Sequence, residues 1–146
     1  MIKITDALAV EHVVMLTVFD QIERLLPDIA TTEEAARLAS MVKGVLNHHA
    51  DTEDNLVYIT LDHALEHQGQ LDRLHQEHKE IDDRFDKVPT AKELPEARRF
   101  LKMALQASRD HFLSEEHYIF PVIEKALQKE TLTEMGRAWS QKQKAS

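Results

Sequence analysis

Nine histidines in a 146-residue chain without cysteine are the first residues to read for chemistry. The missing thiols exclude disulfides, thiolate zinc sites, iron–sulfur clusters, c-type haem attachment and cysteine nucleophiles. Metal or acid–base chemistry therefore falls to imidazole and carboxylate. Spacings that alternate three and four mark one face of a helix, and four such stripes each carry a histidine. The first is Leu8, His12, Met15, Phe19, Ile22 and Leu26. The second runs Leu38, Val42, Val45, His49, Glu53, Leu56, Ile59, and the third Leu71, Leu74, His78, Ile81, Phe85, Val88. The fourth is Leu101, Ala104, Ser108, His111, Glu115, Tyr118, Val122. His49 and His111 thus each precede an inward glutamate by one turn.

Six ligand-type side chains on apolar stripes need a physical reason. A buried, unpaired carboxylate costs several kcal/mol, and no arginine or lysine lies on these stripes to neutralise Glu53 or Glu115. Two divalent cations would supply the charge. Residues at i and i+4 project from one helical face, so His49 with Glu53, and His111 with Glu115, can each grip one ion. Imidazole nitrogen with carboxylate oxygen suits iron, manganese or zinc, and paired carboxylates suit bridging two ions.

The elements that must position these groups are helices. Three glycines and four prolines are too little punctuation for an all-β or doubly wound fold. A first helix, capped by Thr5 or Asp6, is expected to run to about Leu26, before Pro27. Thr31 and Glu34 spell a capping box for a second helix reaching about Glu66. Gly69 marks a break, and a third helix covers about Gln70 to Lys87. Pro95 suits the first turn of a fourth helix running to about Lys129, with Pro121 forcing a kink or local break near Tyr118. A short terminal helix, capped by Thr131 or Thr133 and carrying Trp139, closes the chain. The expected fold is all-α: one domain over residues 1–146, an up-down-up-down antiparallel four-helix bundle plus a short extra C-terminal helix.

An internal repeat pairs the two hairpins. His49 to Asp54 reads H-A-D-T-E-D and His111 to Glu116 reads H-F-L-S-E-E, while A-V-E-H ending at His12 parallels H-Q-E-H ending at His78. With the first turn centred near Ala30, His12 and His49 lie at one level. The second hairpin, centred near Lys92, leaves His78 and His111 five residues out of level, about 7 Å along a helix.

The constellation resembles the hemerythrin-like (HHE cation-binding) family over nearly the whole chain. The residues that carry the resemblance are Glu11-His12, His49-x-x-x-Glu53, Glu77-His78 and His111-x-x-x-Glu115-Glu116, followed by Tyr118 to Pro121. It implies an oxo- or hydroxo-bridged pair of iron ions, with zinc or manganese as substitutes. The implied ligands are His12, His49, His78 and His111, with Glu53 and Glu115 as bridging carboxylates, and a diatomic such as dioxygen or nitric oxide at an open position. Oxygen-carrying members have a further histidine one turn before that of the third helix, where this chain has Leu74. His75 is the alternative donor there. Glu116 is the alternative to Glu115 as bridge.

Other metal architectures fit less well. No glutamate stands three residues before any histidine, as ferritin-type bundles require, and His-Glu-x-x-His is absent. His63 and His67 form an i, i+4 pair without a third ligand at their level, and read as exposed polar residues, as do His48 and His117. Phe19, Phe85, Phe112 and Phe120 read as core that also walls a pocket, and Trp139 as the anchor of the terminal helix. The balance of 26 acidic against 18 basic residues gives a net charge of −8, which disfavours nucleic acid. No apolar run suits a signal peptide or membrane span, so a cytoplasmic protein is expected. The expected function is binding a small diatomic for storage, delivery or sensing. The alternatives are an oxidative or nitrosative stress enzyme, which could also donate iron for cluster repair, and an iron-responsive interaction module.

Overall fold

The computed structural model describes residues 1–64 and 69–145, with side chains described outside 63–70. Helix α1 spans Ile4–Leu25, α2 Thr32–Thr52, α3 Ile59–Ala64 and α4 Gly69–Lys87. Helix α5 spans Leu94–Ser114, α6 Phe120–Ala126 and α7 Lys129–Ala145. No strand occurs among the described residues. The long helices form the four-helix bundle, with α7 added along α1. No helix among the described residues is long and apolar enough to cross a membrane.

Local chemistry sets most boundaries. Thr31 Oγ1 accepts from the Glu34 amide at 3.1 Å, and Glu34 Oε2 accepts from the Ala30 amide at 3.0 Å, a reciprocal cap displaced by one residue. Helix α1 instead begins behind Lys3 with no side-chain cap, so neither Thr5 nor Asp6 serves. The Thr5 hydroxyl is spent on Glu124. Helix α7 starts at Lys129, ahead of both expected caps; the Thr133 hydroxyl turns back to the Lys129 carbonyl.

The two site helices are each interrupted by a π-helical turn, at Glu53–Tyr58 between α2 and α3 and at Glu115–Ile119 between α5 and α6. A π turn inserts one residue into the helix and advances its phase by about 100°. Stripes extrapolated past the glutamates therefore fail. Ile59 is 55% exposed while Val57, Tyr58 and Leu61 are buried, and Tyr118 is 70% exposed while Phe120 and Ile123 are buried. Val122 is only half-buried. Pro121 in the first turn of α6 accounts for the second interruption, since it lacks an N–H and its ring crowds the preceding turn. The first has no proline. What both share is a glutamate at the first position.

Before the interruptions the stripes hold, except at Val45, which is exposed; Leu46 takes its place in the core. Two apolar clusters result. One contains Met15, Phe19, Val42, Leu46, Ile81 and Phe112. The other contains Leu8, Val57, Leu74, Phe120, Ile123 and Leu132. The polar layer lies between them, with His12 between Leu8 and Met15 and His78 between Leu74 and Ile81. The level mismatch of the second hairpin is absorbed in its connection. Helix α5 begins about 12 Å beyond the end of α4, at ~1.5 Å per residue, a span that the six residues 88–93 can cover.

Candidate metal centre

Each stripe delivers its histidine to one layer. His12, His49 and His111 are buried, His78 is half-buried, and Glu53 and Glu115 are 1% and 0% exposed. Their donor atoms fall into two groups, His12, His49, Glu53 and Glu115, and His78, His111, Glu53 and Glu115, the atoms of each lying within 4.8 Å of one another. In the first, the Nε2 atoms of His12 and His49 are 3.0 Å apart, with Glu53 Oε1 3.0 Å from His49 and Glu115 Oε2 3.2 Å from His12. In the second, the Nε2 atoms of His78 and His111 are 2.8 Å apart. Glu53 Oε2 stands 3.3 Å from His78, and Glu115 Oε1 3.2 Å from His111. Each glutamate therefore gives one oxygen to each group.

That arrangement fits a pair of cations better than a hydrogen-bond network. Glu53 Oε1 and Glu115 Oε2 are buried without a hydrogen-bond partner, although each has an imidazole nitrogen about 3 Å away. Such orphans are costly unless a cation sits among them. Two nitrogens and two carboxylate oxygens per ion, with two shared carboxylates, is a donor set for borderline divalent metals.

The outer nitrogens are oriented by a second ring of carboxylates. The Nδ1 atoms of His49, His12 and His111 lie 2.5 Å from Glu11, 2.8 Å from Glu116 and 2.8 Å from Glu77 respectively. A histidine that ligates through Nε2 needs its proton on Nδ1, and a carboxylate there fixes that tautomer. Glu11 and Glu77 were visible in the sequence only as neighbours of histidines; their partners are the histidines of the adjacent helix. Glu116 belongs to this outer ring, and Glu115 occupies the central place.

Tyr58 is the residue that sequence spacing missed altogether. The π turn swings it inward, where its hydroxyl donates to Glu115 Oε1 at 2.8 Å and lies 3.5 Å from Glu53 Oε2. The phase of a single helix pointed elsewhere, and only the two-fold match of Tyr58 with Phe120 would have revealed it.

Protons neutralise the carboxylates when no cation does. Burial alone would lower the pKa of His49, but Glu53 and Glu11 outweigh it and raise it to about 10. His111 is likewise raised to about 9 against burial, by Glu115 and Glu53. Burial would raise the Glu115 pKa, yet His111 and His12 hold it well below the usual carboxylate range. Burial, together with the charges of Glu53 and Glu115, pushes the Tyr58 hydroxyl well above its ordinary value.

The remaining candidates lie outside. The His75 side chain is 52% exposed, 3.4 Å from Asp54 Oδ1, and belongs to neither group; Leu74 is buried in the apolar cluster. His117 is exposed, while His48 is half-buried and its Nε2 lies 3.4 Å from Gln143 Oε1. The pair of His63 and His67 falls outside the described side chains.

The family model of the hemerythrin HHE cation-binding domain matches residues 3–123. The chain belongs to this family. Comparison with curated proteins and with solved structures gave no significant match. The hemerythrin HHE match takes in all six inward ligand-type residues and stops before α7.

The two halves of this hemerythrin-like layer are not equally closed. Residues 49, 50, 53 and 58 repeat as 111, 112, 115 and 120, so Ala50 stands where the other half has Phe112. The Phe112 ring covers that of His12, whereas a cavity of about 350 Å³ opens beside Ala50 onto His78, His111 and His49. Asp54 and Asp82 also line it.

Proposed function

We propose that the protein holds two iron ions between Glu53 and Glu115 and binds a small diatomic, dioxygen or nitric oxide, for storage, delivery or sensing. The observation that carries this reading is the pair of four-atom donor groups sharing both glutamates. Bound there, an iron pair supplies a redox-active Lewis acid with coordination positions left open by the small protein ligand set.

The chain's own residues do the rest. Glu53 and Glu115 offset the cationic charge and hold the two halves at one spacing. Glu11, Glu77 and Glu116 keep the Nδ1 protons of their histidines in place, leaving Nε2 as donor. Phe112 and Phe120 lie over His12 and shield that ring from water. The cavity beside Ala50 is the route by which a diatomic reaches the His78 and His111 half.

One observation favours a second reading, reduction of peroxide or nitric oxide. Asp54 lines the cavity, and burial raises its carboxyl pKa, which places a titratable acid beside the route. Anaerobic iron(II) loading followed by optical spectra under each gas tests both. Two irons per chain, with a spectral change that reverses when the gas is removed, is the expected result. Irreversible consumption of the gas selects the second reading, and failure to take up two metal ions overturns both.

A further inference from the structure

We propose that Trp139 is a positioning residue for the ion of the His12 and His49 half, acting through Glu11, so that ion binding and docking of the C-terminal helix stabilise each other. The proposal rests on the metal-binding reading above. Trp139 Nε1 donates to Glu11 Oε1 at 2.6 Å, and Gln143 Nε2 donates to the same oxygen at 3.3 Å. The other Glu11 oxygen is the one that lies 2.5 Å from His49 Nδ1. One carboxylate thus joins a metal-layer histidine to two side chains of a helix outside the family match.

The surroundings make this joint matter. Glu11, its side chain 18% exposed, lines a groove with Val10, Val14, Val45 and Trp139, so most of the carboxylate is withdrawn from water. A carboxylate there needs donors on both oxygens to remain charged and oriented. An indole N–H that is partly buried needs an acceptor equally. Release of α7 would therefore strand Trp139 and loosen Glu11, and with it the orientation of His49.

The repeat provides an internal control. Glu77 is the counterpart of Glu11 in the other half; apart from His111, its one hydrogen-bond donor among the described residues is Arg73 Nε at 3.2 Å, from a side chain 77% exposed. Exposed pairs of that kind contribute little. The two halves therefore differ in how firmly their outer carboxylates are held. Because linkage is reciprocal, whatever α7 adds to ion affinity the ion returns to docking of α7.

The test uses the full chain and zinc(II), a redox-inert probe, in stepwise chelator competition with hydrogen exchange measured in parallel. Trp139→Phe keeps an aromatic ring, though a smaller one, and removes the donor; it is expected to weaken one of the two ions by about 10–100-fold and leave the other unchanged. Gln143→Leu is expected to weaken the same ion by a smaller factor, and Arg73→Ala to change neither by more than about twofold. Zinc is expected to slow amide exchange in α7 of the unaltered chain, and to lose most of that effect in Trp139→Phe. Unchanged affinities in both α7 variants, or exchange in α7 that ignores zinc, overturns the proposal. Should Trp139→Phe not fold, Gln143→Leu and the exchange of the unaltered chain decide it. If the unaltered chain fails to bind two zinc ions, the metal-binding reading itself fails.

Discussion

Phe112 stacks on His12 with ring centroids 4.1 Å apart and planes 11° from parallel. His78, the counterpart of His12, keeps Tyr58 stacked at 6.1 Å in the place of Phe120, but Ala50 stands where Phe112 would cover its other side, and the cavity opens there. On the proposed function, this asymmetry makes the His78 and His111 half the expected point of entry for a small ligand. Ala50→Phe should fill that space as Phe112 does in the first half. We expect nitric oxide association with the iron-loaded protein, followed by stopped flow, to slow by about tenfold, roughly 1.4 kcal/mol in barrier, with two irons retained. An unchanged rate at full metal content would show that the gas enters elsewhere.

Sharing of the glutamates predicts how single variants differ. Each Glu53 oxygen belongs to a different donor group, so Glu53→Gln should weaken both ions. His49 serves one group, and His49→Ala should leave one ion near its original affinity. His75→Ala removes a half-exposed side chain outside both groups and should leave two ions bound. Metal analysis after dialysis at a fixed free zinc concentration distinguishes these outcomes. Equal losses in all three variants would sink the assignment of ligands.

The inward placing of the four histidines and both central glutamates followed from one rule, a 3.6-residue period along each stripe, and the helical class from that period together with the scarcity of glycine and proline. That rule reads only one helix at a time and assumes constant phase. It therefore failed after Glu53 and Glu115, where the π turns put Ile59 and Tyr118 outside and brought Tyr58 in. Glu11, Glu77 and Glu116 act on histidines of other helices, so their partners depended on packing that periodicity does not encode. Trp139 was legible as an anchor of the terminal helix, but not as a donor to Glu11.

Proton release should accompany metal uptake. In the metal-free protein His49 and His111 hold protons with pKa values of about 10 and 9. Both lie above the ordinary 6.5, so each proton stabilises the metal-free fold fully below that value. The contribution is lost as pH rises through 9 to 10. A cation must displace those protons, and calorimetric titration at about pH 7.5 in buffers of different ionisation enthalpy should report about two protons released per chain. The count should fall toward zero above about pH 10, and metal affinity should weaken as pH is lowered. Proton release near zero at about pH 7.5 would contradict a layer neutralised by imidazolium.

Two helical glycines should respond with opposite signs. At Gly136 a Cβ would lie 2.1 Å from the Ile2 carbonyl oxygen, a backbone atom that cannot swing aside. The absence of a side chain is what lets α7 close on the N-terminal segment, near the turn that carries Trp139. Gly136→Ala must push the two apart and should cost about 1–3 kcal/mol in chemical unfolding, with faster amide exchange in α7 and weaker binding of the ion at His49. At exposed Gly44 an added Cβ meets nothing within 4 Å, inside a helix that glycine only weakens. Gly44→Ala should therefore stabilise by about 0.5–1 kcal/mol and leave α7 unaffected. A destabilised Gly136→Ala with normal exchange in α7 and full metal affinity would separate the seating of that helix from the metal layer.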